Sequence, residues 1–191
     1  MNECSIGCRI LGTLLHRDAN DAAIAPLLEM IRANKLAPHW PLKQEALLTR
    51  LAHAMDETAI SQDYQQLFAQ NGAVSPFVSD YIEVSETEIR AALQQIGFPL
   101  TERAADHLGQ LLLAASWIED NAHADEIKAQ SALFQRYILP AYEPLLGKVE
   151  AHATTAFYRT LAIITREAIA EMAQDIAESE ADITEQESSA Q

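Results

Sequence analysis

The sequence predicts an all-α fold, and three observations carry that prediction. The composition is rich in Ala, Leu, Ile, Glu and Gln and poor in Gly and Pro, 6 and 7 of 191 residues, which favours helix over strand. Apolar residues recur at helical spacing along nearly the whole chain, with no strand-like alternation between the stripes. The breaks between stripes hold capping and turn residues. The length suits a single compact multi-helix domain with a core of normal proportions.

Ile6, Ile10, Leu11, Leu14 and Leu15 form the first stripe, and Ile24, Leu27, Leu28 and Ile31 the second. The polar turn Arg17 to Asp21 between them predicts an antiparallel hairpin. Pro38-His39-Trp40-Pro41 is a break, with His39 in the loop and Trp40 as a packing anchor. Leu47, Leu48, Leu51 and Met55 predict a third helix; Ile60, Tyr64, Leu67 and Phe68 predict a fourth. Gln70 to Tyr81 is the longest irregular stretch, a kind of loop that often carries binding. Its plainer reading is a linker with Phe77 and Tyr81 tucked against the bundle.

Ser85-Glu86-Thr87-Glu88 is a capping box before Ile89 and Leu93, and Gly97 stops that helix. A central helix then opens with Thr101 as its cap and runs to about Asp120. Within such a helix Asp106 shares a face with Trp117, eleven residues on, and His107 shares one with Leu111 and Ile118. The plain readings are an Asp favoured by the helix dipole and a core histidine. Ile127, Leu133, Phe134, Tyr137 and Ile138 mark a further helix, ended by Pro140; Glu143-Pro144 begins a short one. Phe157, Leu161, Ile164, Ala168, Ile169, Met172 and Ile176 mark a long last helix. The expected folded domain is 1–179, and the acidic, polar tail from Glu180 to Gln191 is expected to be disordered.

The formal net charge of −15 argues against nucleic acid and anionic membranes as partners and suits a cationic one. Cys4 and Cys8, four residues apart, are expected on one helix face as reduced thiols of a cytoplasmic protein. Met1-Asn2-Glu3 lacks a basic start, and Arg9 interrupts the first apolar stretch, so no export signal is expected. There is no His-Glu-x-x-His, Gly-rich phosphate loop or Gly-x-Ser-x-Gly, and the six histidines form no metal pair. No cofactor is assigned, and a binding protein without turnover is favoured over an enzyme.

Several stretches together resemble the TorD/DmsD/NarJ family of chaperones for molybdenum-containing redox enzymes, most of all its DmsD branch, which serves dimethyl sulfoxide reductase. They are Arg9 to Leu14, His39 to Leu42, Tyr64 to Phe68, Asp106 to Gly109, Leu111 to Trp117 and Phe157 to Ala162. The likeness runs from about Ile10 to Met172. The family's Glu-Pro-x-Asp-His motif stands here as Arg103-Ala104-Ala105-Asp106-His107, with Asp and His kept. The resemblance implies an all-helical TorD/DmsD-like fold. It also implies a cytoplasmic chaperone that binds the twin-arginine signal peptide of a molybdoenzyme's apo catalytic subunit until the cofactor is inserted and Tat export follows. Tat translocase components are further partners it allows, and the chain is a monomer or a dimer. A NarJ-like chaperone of a non-exported apoenzyme and a nucleotide-binding enzyme stand as alternatives.

Arginine forks pair with carboxylates, and an apolar peptide segment can lie in a groove between helices. The expected peptide carboxylates are therefore Asp106, Asp80 and Glu83. The expected walls are Phe77, Tyr81 and Trp117, with Ser75 and Pro76 in the same loop. His107 is expected in the same site, holding a hinge or sensing pH, with a core histidine as the plainer reading.

Overall fold

The computed structural model describes residues 3–121 and 126–189, with side chains over 5–121 and 126–183. Its helices are α1 (Glu3–His16), α2 (Ala25–Arg32), α3 (Glu45–His53), α4 (Glu57–Phe68), α5 (Glu86–Gln95), α6 (Leu108–Asn121), α7 (Glu126–Leu133), α8 (Leu139–His152) and α9 (Ala156–Ser189). The fold is all-α, and the described residues carry no strand beyond one isolated bridge between Phe77 and His107.

The centre of the domain is the pairing of α1 with α6, far apart in sequence, rather than the expected hairpin of the first two helices. Two glycines permit it. A Cβ on Gly12 would stand 2.6 Å from the Gly109 carbonyl oxygen, and one on Gly109 would stand 2.7 Å from that of Gly12. Neither position admits a side chain, so the two backbones touch. The long α9 closes the core against α1, α3, α7 and α8, burying Phe157, Leu161, Ile164, Ala168, Ile169 and Met172. Its start is held by the buried Asp63, whose carboxylate accepts the Thr154 and Thr155 amides at 3.0 and 2.8 Å.

Trp40 is buried and its indole N–H donates to Gln44 Oε1 at 3.0 Å; Gln44 in turn donates to Glu167 on α9 at 2.9 Å. Ser85 caps α5 by accepting the Glu88 amide at 3.2 Å, while the Glu88 carboxylate pairs with Arg136. Gly97 ends that segment at φ +73°, a conformation open to glycine. Cys8 is buried and donates to the Met172 sulfur at 3.5 Å. The Cys4 side chain and His123 lie outside the described residues.

Four boundaries differ from expectation. First, the central helix begins at Leu108, not at Thr101. Within residues 101–105 backbone groups go instead to α5: Glu86 accepts the Ala105 amide at 3.0 Å, and Arg90 donates to the Thr101 and Arg103 carbonyls. Second, Pro140 does not end a helix. A π-helical stretch over 134–138 joins α7 to α8 without a break. Proline lacks an N–H and crowds the carbonyl four residues back, and a wider turn at that point relieves both. Third, Glu143-Pro144 starts no helix, because Pro144 lies inside α8. Fourth, the tail expected to be disordered continues α9 to Ser189. Elongating an existing helix needs no new nucleus, and Ala, Glu and Gln are good helix formers. Glu180 there accepts Ser131 Oγ at 2.8 Å.

Candidate functional site

Residues 74–82 cross the beginning of α6 as a strap. Val78 N donates to the Asp106 carbonyl and Leu108 N to the Pro76 carbonyl, each at 2.9 Å, which makes the Phe77–His107 bridge. A 3₁₀ turn over Val78–Asp80 then brings the chain back, and Tyr81 closes it by donating its hydroxyl to the Ser75 carbonyl at 2.9 Å. Lys148 on α8 stands over the Tyr81 ring at 4.7 Å.

Two clefts flank the strap. One, about 240 Å³, is walled by His16, Tyr64, Phe68, Phe77 and His107, with Arg103 at its edge. The other, about 480 Å³, is bounded by Phe68, the turn 69–72, Ser75, Phe77 and Asp80. Phe68, Pro76 and Phe77 belong to both, so a single apolar ridge divides them. The aromatic wall is layered: Tyr64 meets Phe68 at 5.4 Å, and Phe68 meets the buried Tyr158 at 5.9 Å.

His107 is buried and edge-on to both Phe77 (5.9 Å) and His16 (4.7 Å). Its Nδ1 accepts the Gly109 amide at 3.0 Å, so the imidazole caps α6 and is neutral there. Burial, then His16 and Arg103, push its pKa down to about 3. Burial, then Arg103 and Arg17, push His16 to about 4. The sequence reading missed His16, and its pairing with a residue 91 positions away leaves no local signal. Tyr64 and Phe68 were legible as one face of α4, four apart, but not as cleft residues.

The structure brings together Ser75, Pro76, Phe77, Asp80, Tyr81, Asp106 and His107. It does not bring Trp117 among them. Asp106 precedes α6, so the two share no helical face, and nine residues of helix, about 14 Å, separate Leu108 from Trp117. Trp117 is half-buried against Phe98 instead. Asp106 is 3 % exposed, and its carboxylate accepts Ser79 Oγ, so it offers no free charge to the clefts. Asp80 and Glu83 are exposed, with Asp80 Oδ2 taking the Ser75 hydroxyl. Among the described residues no group of His, Cys, Asp and Glu could hold a metal, and no helix is long and apolar enough to cross a membrane.

Residues 17–145 match the family model described as nitrate reductase delta subunit. The chain is 49 % identical to the chaperone protein YcdY of Escherichia coli, over 93 % of this chain and 98 % of that one. A protein of Haemophilus influenzae is 36 % identical, over 93 % and 97 %. The Tat proofreading chaperone DmsD of Salmonella typhimurium is 25 % identical, over 89 % of each. The likeness to DmsD is thus real but weaker than that to YcdY, and the relatives' names as chaperones support a non-enzymatic role. The chain belongs to the nitrate reductase delta subunit family, the TorD/DmsD/NarJ family of redox-enzyme maturation chaperones.

Proposed function

We propose that the divided cleft beside the strap receives the twin-arginine signal peptide of a molybdenum redox enzyme's apo subunit, such as a dimethyl sulfoxide reductase-like one, in the cytoplasm before Tat export. The observation that supports this reading most is the apolar ridge of Phe68, Pro76 and Phe77 with the exposed Asp80 at its edge. An apolar peptide stretch gains by covering the ridge, and an arginine gains by reaching a carboxylate that water still solvates in the free protein. Glu83, three residues on and also exposed, is the second carboxylate. The chain's net charge of −15 favours the encounter with a cationic leader.

Calorimetric titration with a twin-arginine leader peptide, and with the same peptide carrying Gln at both arginines, tests this. The arginine peptide should bind at least tenfold tighter, and Asp80→Asn should remove about tenfold of that, near 1.4 kcal/mol. Equal affinities for the two peptides would overturn the reading. Capture of a leaderless apo subunit with undiminished affinity would replace it with a NarJ-like role.

A further inference from the structure

We propose that Ser79 and Asp106 are a positioning pair that fixes the strap over the clefts, so that Asp106 shapes the site without touching its ligand. Asp106 is 3 % exposed and is absent from the lining of both clefts. Its backbone and side chain both serve the strap: the carbonyl accepts the Val78 amide at 2.9 Å, and the carboxylate accepts Ser79 Oγ. Two consecutive strap residues are thereby held by one residue, immediately beside the Phe77–His107 bridge.

The simplest competing role for Asp106 is helix capping, and the hydrogen bonds argue against it. The first free amides of α6 go to His107: Gly109 N donates to its Nδ1 at 3.0 Å, and Gln110 N to its carbonyl at 2.8 Å. The other competing role is a direct ion pair with an incoming cation. That would require breaking the contact with Ser79 and uncovering a buried carboxylate, while the exposed Asp80 lies nearer solvent. What the pair does control is Phe77, which immediately precedes the two tied residues, bounds both clefts and meets His107 edge-on. Releasing Ser79 frees the strap to lift Phe77 from the ridge.

The ligand side of this inference rests on the peptide reading above; the strap side does not. The test uses the full chain and Ser79→Ala, Asp106→Ala and Asp106→Asn, each checked by thermal unfolding. Amide hydrogen exchange at Val78 and Leu108 is measured without peptide, and affinity for the twin-arginine leader at two salt concentrations. Ser79→Ala and Asp106→Ala should each speed exchange at Val78 about tenfold and weaken binding by a similar factor. Asp106→Asn keeps an oxygen acceptor for Ser79 and should stay within about threefold of the parent in both. Salt dependence should be the same for all four proteins, because no exposed charge is lost at the ligand. Unchanged exchange and affinity in Ser79→Ala overturn the proposal, and that mild variant decides even where Asp106→Ala fails to fold. A large loss in Asp106→Asn with a shallower salt dependence also overturns it, in favour of direct contact. Faster exchange in a protein that binds no leader at all supports the positioning pair and overturns the peptide reading alone.

Discussion

The two ends of α6 hold their polar groups in opposite ways. At the N-terminal end, Asp106 and His107 are buried and every hydrogen bond described for them stays within the fold, to the strap or to α6 itself. At the C-terminal end, Asp120 takes an ion pair from the exposed Arg9, and Trp117 keeps its indole N–H buried without a partner. The first end is a built site: each buried polar group is satisfied, so its geometry is set, and clefts open beside it. The second is satisfied only in part: Ser5 and Ser116 share a buried hydrogen bond at 2.9 Å, while the indole N–H beside them has no partner. On the proposed reading, polar burial that is fully satisfied marks the peptide-binding end better than an aromatic side chain does.

The strongest way to break that contrast is titration. The unfolded chain protonates histidine near pH 6.5, whereas folded His107 and His16 resist until about 3 and about 4. Their neutral state is therefore fully compatible with folding above pH 6.5. As pH falls from there toward 4 the unfolded state takes up protons that the folded state does not, and stability drops. For His107 the slope is at most about 1.4 kcal/mol per pH unit. His107→Asn retains an oxygen that can cap Gly109 but carries no proton in this range. Denaturant unfolding at several pH values should show a shallower loss in that variant, and parallel curves would show that His107 does not titrate on unfolding.

Next in size is the seam that carries the N-terminal end. Gly109→Val places a branched side chain 2.7 Å from the Gly12 carbonyl and 3.0 Å from the His16 Cβ, so α1 and α6 must part. A loss of about 2 kcal/mol or more is expected. Gly147 in α8 is the control: a Cβ there meets nothing within 4 Å, and Gly147→Ala should gain about 0.5–1 kcal/mol. A destabilised Gly147→Ala, or a neutral Gly109→Val, would show that the close approach is not what fixes the seam.

A smaller effect is expected at the other end. Trp117→Phe removes an indole N–H that has no partner while keeping a ring to meet Phe98 at the observed 6.3 Å edge contact. The lost apolar area and the relieved polar group oppose each other, so the unfolding free energy should change by less than about 1 kcal/mol. Leader affinity should not change. A tenfold loss of affinity would return Trp117 to the site.

Much of this architecture is legible in the sequence, and the failures share a cause. The stripes gave α3, α4 and α5, and Ser85 and Gly97 bounded α5, because those signals are local. Trp40 was legible because prolines fix its surroundings. The start of α6 was not, because Thr101 to Ala105 bond to Glu86 and Arg90 on another helix. That one misplaced boundary put Asp106 on a face with Trp117. A helical face relates two residues only if both lie in the helix. The strap residues Ser75 to Tyr81 were found by composition, but the role of Ser79 was not, since its partner is 27 residues away.

The end of α9 supplies the smallest effect and the last test. It is helical to Ser189, yet among its described side chains Ile176 is the last buried apolar one, and Glu178, Glu180, Ala181 and Asp182 are exposed. Helix without burial is held only by propensity and by continuity with the packed turns before it. The stretch thus resembles the solvent-facing end of α6 rather than the built one. A tie beyond the helix joins Ser131 to Glu180. Truncation after Ile183 keeps that tie and removes only side chains beyond it. The unfolding midpoint should stay where it is, and far-ultraviolet circular dichroism should fall by no more than the residues removed. A lower midpoint would mean that the acidic end docks on the domain, and a weaker grip on the arginine leader at low salt, with folding intact, would mean that it helps draw the cation in.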